Sequence, residues 1–262
     1  VLIYFCTFEE ILNITIMKKT KFVSISSSKG GVGKSTITSL FATGLLSHFG
    51  LNVAIVDIDP QESLIQARMS ELKEIELNPP KANSSIYQTI LKNREKAKQS
   101  YPDVYRISLY DDFSIIKSKL QTFVGKYDLI FLDFPGSLNI HTNTLLLLKE
   151  LDFIFIPFYV DQNNSNSTFK FVNALKELKG KKLIKADFYM FFNRYNGEKG
   201  KNGNLFEDAR NVLLKNNYPL LNNVIYESSE VERYSTIIPL KPSSSRKNTY
   251  HLVEEVKNII NK

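Results

Sequence analysis

Apolar residues in this chain gather in short runs, separated by longer stretches in which they mix with polar residues. The runs lie near residues 21–27, 52–57, 127–133, 151–157 and 184–192 and are rich in Val, Ile, Leu and Phe. Between and after them, residues 35–48, 138–150, 165–179 and 204–216 read as helices, and a last amphipathic stretch spans His251 to Ile260. A near-continuous apolar run fits a strand buried on both faces, and strands that alternate with helices point to a parallel sheet. The expected fold class is therefore α/β, a mostly parallel β-sheet flanked by helices on both faces. Residues 71–125 fit the alternation less well. The charged segment Lys92–Lys98 reads as an exposed helix, and this part is expected to decorate the sheet rather than form a domain of its own.

Composition agrees with one core. The chain has 262 residues, 43% of them hydrophobic, enough to bury a substantial interior without splitting.

Residues 28–36 read Ser-Lys-Gly-Gly-Val-Gly-Lys-Ser-Thr, between the strand-like run Lys21–Ser26 and a helix that starts near Thr36. Strand, glycine loop and helix N-terminus together aim consecutive backbone N–H groups at an anion, where the helix dipole also favours negative charge. Gly30, Gly31 and Gly33 let the backbone come close to a phosphate. Lys34 supplies a point charge for β/γ-phosphates, and the Ser35 hydroxyl is placed to ligate Mg²⁺. Two further apolar runs end in carboxylates. One is Asn52–Gln61, which closes with Asp57-Ile58-Asp59-Pro60-Gln61; the other is Tyr127–Gly136, which carries Asp133. Open α/β sheets bind ligands along the edge where such strands end. An alternative for Asp59 is to cap the helix that follows Pro60.

Lys29-Gly30-Gly31-Val32-Gly33-Lys34-Ser35 resembles the deviant Walker A motif of the ParA/MinD class of P-loop ATPases. The order of P-loop, Asp-x-Asp-Pro-Gln and strand-Asp strengthens that resemblance. It implies a P-loop NTPase fold of the deviant Walker A type, with ATP and Mg²⁺ as cofactors. Nucleotide binding falls on Gly30, Gly31, Val32, Gly33, Lys34, Ser35 and Thr36, and metal binding on Ser35 and Asp133 with Asp57 in support. Catalysis falls on Lys29, Lys34 and Asp59: Lys29 reaching the nucleotide of a second subunit, Asp59 positioning the attacking water. Asn193, at the end of the run near 184–192, is the residue implied for adenine recognition. The family often has two prolines after the Asp133 position, whereas this chain has Pro135-Gly136. The ParA branch further implies a homodimer on ATP binding, nonspecific double-stranded DNA as partner, and a ParB-like or other protein that stimulates hydrolysis. It also implies a cytoplasmic protein, nucleoid-associated when ATP-loaded. The string Tyr234–Pro239 and the Phe131–Gly136 loop faintly resemble a branch carried by conjugative elements.

Net charge is +7. Residues 1–169 hold 17 Lys+Arg and 17 Asp+Glu, while residues 170–262 hold 17 and 10, so the whole excess lies in the C-terminal third. Lys181 and Lys182 stand in one cluster with Lys176, Lys179 and Lys185; Lys241, Arg246 and Lys247 stand in a Ser-rich stretch. Such residues suit phosphate contacts without base reading, although a charge run is commonly just a solvated face. The rival reading is a MinD-like membrane-associated ATPase, for which Leu252, Val253, Val256, Ile259 and Ile260 would form an apolar face; Glu254 and Glu255 on the opposite face argue against anionic lipid. A metabolic P-loop ligase or kinase is a third class, with no residue that points to a substrate.

Residues 1–17 read as an upstream extension or a misassigned start, and 18–262 as a single P-loop ATPase domain. The extension has no basic segment or cleavage site of a secretory signal and is too interrupted for a transmembrane segment. Cys6 is the only cysteine, which excludes an internal disulfide and an iron–sulfur cluster held by this chain's own thiolates.

Overall fold

The computed structural model describes residues 20–97, 99–136, 142–160, 162–195, 201–240 and 247–262. The upstream segment 1–17, Cys6, Lys241, Arg246 and the first residues of the helix expected at 138–150 fall outside them. Six strands form one sheet in the order β3-β2-β4-β1-β5-β6, and every pairing is parallel. They are β1 (Lys21–Ile25), β2 (Val53–Asp57), β3 (Asp103–Arg106), β4 (Leu129–Asp133), β5 (Phe153–Phe158) and β6 (Asp187–Phe192). All residues of β2, β4 and β5 are buried, as runs such as Val-Ala-Ile-Val-Asp demand when helices cover both faces.

The helices are α1 (Lys34–Phe49), α2 (Ser63–Leu77), α3 (Ser85–Ala97), α4 (Phe113–Gln121), α5 (Thr142–Glu150), α6 (Gln162–Gly180), α7 (Lys201–Lys215), the short α8 (Ser229–Glu232) and α9 (Lys247–Ile260). Strand residues alternate between two cores. Ala54, Val56, Ile130, Leu132, Ile154 and Ile156 pack with Ile116, Leu147 and Val172 on one face. Val23, Ile25, Val53, Ile55, Phe131 and Phe155 pack with Phe41 and Leu45 of α1 on the other. The apolar side of α9 joins this second core: Leu252, Val253, Val256, Ile259 and Ile260 are all buried. At about 1.5–3 kcal/mol for each such side chain, that face is a main attachment of the C-terminus.

The sheet gains one strand beyond the sequence reading. β3 lies inside the 71–125 region and forms the edge beside β2, so that region builds the sheet as well as decorating it. Its four residues, Asp-Val-Tyr-Arg, are only half-buried, and no apolar run announces them. Pro157 sits inside β5, where a missing N–H would ordinarily break the ladder. Val23, Ser24 and Ile25 of β1 pair with Phe153, Ile154 and Phe155, and Ser26 N donates to Phe155 O (3.0 Å). Odd-numbered residues of β5 therefore face β1, and at Pro157 the paired part of β1 has already ended. No donor is wanted there.

Candidate nucleotide site

The site is built at the C-terminal ends of β1, β2 and β4. After β1 the chain passes through residues 26–33 and enters α1 with Gly33 as its cap. Gly31 (φ 74°) and Gly33 (φ 84°) take the left-handed region that side-chain-bearing residues avoid. Gly33 offers no side-chain cap, so the first-turn N–H groups of α1 have no capping side chain at that position. Gly136, where the second proline of the resembled motif would fall, packs on the loop. A Cβ there would stand 3.0 Å from Gly30 Cα and 3.5 Å from Lys34 Nζ. This chain's Pro-Gly sequence is thus explained by a close approach, and Pro at 136 would have to push the loop aside.

Three sequence-identified groups converge below the loop. Lys34 is buried, and desolvation lowers its pKa while Asp133 and Asp59 pull it back up. Asp133 is fully buried; Ser35 Oγ donates to its Oδ2 (2.6 Å) and Thr38 Oγ1 to its Oδ1 (3.3 Å). Burial pushes the Asp133 carboxyl up to about 7, aided by the charges of Asp57 and Asp59 and opposed by the Ser35 bond and Lys34. Asp57 is its register partner across β2 and β4 and is also fully buried. Its Oδ2 accepts from Leu64 N (3.1 Å) and Ile65 N (3.2 Å), and its Oδ1 from Asp59 N (3.2 Å). Asp57 therefore anchors the start of α2 as well as standing beside Asp133. Burial raises its pKa, and these three N–H donors work against that rise.

Asp59 lies in the turn between β2 and α2. Its Oδ1 accepts from Gln61 N (2.9 Å) and its carbonyl from Glu62 N (2.9 Å). The N-cap of α2 is Glu62, so the capping alternative for Asp59 does not hold. Asp59, Pro60 and Gln61 line a cavity of about 920 Å³ together with Gly31, Gly33, Lys34, Ser35 and Thr36. Lys29 is exposed and is not among the residues that line this cavity of its own chain. Asn193 is placed beneath the P-loop: its Nδ2 donates to Val32 O (2.9 Å) and its N–H to Phe158 O (2.9 Å). It also borders a narrow hollow of about 40 Å³ beyond Gly33, shared with Thr36, Ile37, Arg194 and Tyr226.

Sequence reasoning missed several contributors. Ser63 Oγ donates to Ser35 Oγ (3.2 Å), Thr38 reaches Asp133, and Tyr110 and Tyr234 form part of the cavity wall. Thr38 and Ser63 could have been suspected from their places one helical turn after Ser35 and just past Gln61. Tyr234 opens the string Tyr234–Pro239, but nothing in that string points to the cavity, and only the fold brings it there.

The basic cluster stands elsewhere. Lys181, Lys182 and Lys185 lie between α6 and β6, at the N-terminal end of that strand, so at the end of the sheet opposite the cavity. Lys179 pairs with Asp187, Lys181 with Glu177 and Lys185 with Asp152 (2.9 Å). Lys182 is exposed with φ 58°. Lys247 opens α9.

A family whose description is AAA domain matches residues 20–190. Solved structures with the same fold include a putative plasmid partition protein from Borrelia burgdorferi B31 bound to AMPPNP, 23% identical, covering 92% of this chain and 99% of that one with a TM-score of 0.62. The MinC:MinD cell division protein complex of Aquifex aeolicus is 16% identical over 91% of this chain and 96% of that one, TM-score 0.61. Cobyrinic acid a,c-diamide synthase from Mycobacterium smegmatis, with bound ATP analog and magnesium, is 16% identical over 91% and 94%, TM-score 0.63. At these identities the likeness concerns the fold. A partition protein, a cell division protein and a synthase share it, so the choice among them rests on this chain's own residues.

Proposed function

This chain belongs to the AAA-domain family and has the ParA/MinD-type P-loop fold, and on that premise we propose that it is a ParA-like partition ATPase. In this reading ATP closes a sandwich dimer that binds DNA without sequence preference, and hydrolysis releases it. The observation that carries the reading is the meeting of Lys34, Ser35 and Asp59 around one cavity, with buried Asp133 held behind Ser35, while Lys29 stays exposed outside it. Lys34 and the loop N–H groups hold the β- and γ-phosphates. A hard cation fits the oxygen donors present, with Ser35 Oγ and the Asp133 carboxylate as its protein ligands and Asp57 in support. Mg²⁺, when bound, neutralises charge that develops on the phosphate oxygens. Asp59 orients the attacking water, and Lys29 stabilises the nucleotide of the other subunit, so hydrolysis depends on dimerisation. Asn193 and the hollow beside Gly33 serve the adenine end.

DNA is the proposed partner because the chain's whole positive excess lies in residues 170–262. Lys181, Lys182, Lys241, Arg246 and Lys247 are the proposed phosphate contacts, acting as point charges. Because the first cluster is partly paired with Glu177, Asp152 and Asp187, more of that task is proposed for the 241–247 stretch. A ParB-like activator and nucleoid association when ATP-loaded belong to the same reading. The MinD-like alternative asks for an apolar face on α9 that a bilayer can take up, and here that face is buried against α1 and the sheet. Among the described residues no helix is long and apolar enough to cross a membrane.

The test is binding of the purified protein to random-sequence duplex DNA with ATP/Mg²⁺ and with ADP/Mg²⁺ across a salt series. Binding that needs ATP and weakens steeply with salt is expected. Equal binding with both nucleotides, or none with ATP at low salt, would remove the partition reading and make liposome binding the next comparison.

A further inference from the structure

The turn that carries Asp59 ends in a conformation its last residue resists. Glu62 has φ 53° and ψ 33°, a left-handed backbone that suits Gly or Asn and is unfavourable for a glutamate. Residues 59–62 close on themselves through Glu62 N to Asp59 O and Gln61 N to Asp59 Oδ1. Asp57 fixes the neighbouring segment by accepting from Leu64 and Ile65, but none of these bonds holds the Glu62 side chain.

Arg106 does. It is the last residue of β3 and the register partner of Asp57. Its Nε donates to Glu62 Oε1 (2.8 Å), and its Nη1 donates to Asp57 O (3.3 Å) and to Ile107 O. An ion pair with side chains 26% and 43% exposed would ordinarily contribute little, because two mobile side chains must be ordered to form it. Here the guanidinium fork is already fixed by two main-chain carbonyls, so much of that ordering is supplied by the strand edge.

We propose that Arg106 is a positioning residue for hydrolysis: through Glu62 it holds the strained 59–62 turn and so keeps Asp59 at the cavity. This rests on the assignment of Asp59 to water positioning made above. The clamp acts on the geometry of Asp59 and leaves the phosphate-binding loop alone, which separates it from a general structural role.

The experiment compares wild type, Arg106→Gln, Arg106→Lys and the double variant Arg106→Gln/Glu62→Gly in the full chain. It reads kcat and KM for ATP, affinity for a non-hydrolysable ATP analogue, and amide hydrogen exchange at residues 61–63. Arg106→Gln is expected to lower kcat about tenfold with analogue affinity within about twofold, and to speed exchange at 61–63. Arg106→Lys, which keeps the charge and loses the fork, should fall between. Glycine accepts the left-handed turn without help, so adding Glu62→Gly to Arg106→Gln should recover most of the lost kcat. Unchanged kcat or unchanged exchange in Arg106→Gln would overturn the clamp, as would a double variant no better than the single. A fall in analogue affinity equal to the fall in kcat would make Arg106 merely structural and also overturn it. Wild type without ATP turnover, or Asp59→Ala with normal turnover, would overturn the function reading and the clamp with it, a result distinct from loss of the clamp alone.

Discussion

The two ends of the sheet carry charge in opposite ways. At the C-terminal end Lys34, Asp57 and Asp133 are buried, and each is tied to named partners. At the N-terminal end of β6, Lys179, Lys181 and Lys185 are partly or fully exposed and lean on Asp187, Glu177 and Asp152. A buried charge is costly unless its neighbours are fixed, so its position is set by the fold and its chemistry can be argued from geometry. An exposed lysine is set by little beyond solvent, and its pairings contribute little individually. One end therefore fixes a geometry from which a reaction site can be proposed, while the other specifies only a field.

The sharpest way to break this contrast is at Lys34. Lys34→Ala removes a buried cation from the phosphates and should cost about 3 kcal/mol or more, an affinity for ATP weaker by roughly 100-fold. Titration calorimetry with wild-type affinity retained would remove the P-loop assignment. Next comes Asp59→Ala, expected to lower kcat on the order of 100-fold while ATP binding persists. Single-turnover product formation at the wild-type rate would reduce Asp59 to a turn residue.

Asp133 gives a test in pH. Its folded pKa stands near 7 against an ordinary 3.8, so between those values the folded state holds a proton that the unfolded state has lost. Stability without nucleotide and metal should then fall as pH rises through that window, by about 2 kcal/mol between pH 5 and pH 7 from this group. Asp133→Asn removes the titration, and the difference between the two proteins' thermal midpoints should shrink or reverse as pH rises across that range. A constant difference from pH 5 to pH 7 would contradict the buried, proton-holding carboxyl. The smallest effect belongs to the other end of the sheet: Lys181→Glu with Lys182→Glu should weaken ATP-dependent DNA binding by less than about tenfold and flatten its salt slope by about one or two contacts. A complete loss of binding would mean that this face is organised as a site after all.

The same contrast explains what could be read in the sequence. The runs that became β2, β4 and β5 were legible because strands buried on both faces admit almost no polar residue, and Asp57 and Asp133 stood out as charges at their ends. β3 was not, because a half-buried edge strand of four residues after Pro102 needs no apolar run. Asn193 was found at its strand end, but that its amide would reach Val32 depends on where β6 lies beside the loop. Arg106 and the left-handed Glu62 were invisible for a common reason. Each matters through a partner distant in sequence or through a backbone angle, and neither leaves a pattern along the chain.

The most direct test of the account is ATP turnover per subunit as a function of protein concentration, in wild type and in Lys29→Ala. If the site is completed by a second copy, turnover per subunit should rise with concentration toward a plateau, and Lys29→Ala should bind ATP yet stay near the uncatalysed baseline at every concentration. Turnover independent of concentration, with Lys29→Ala as active as wild type, would show a site complete in one chain and contradict the account.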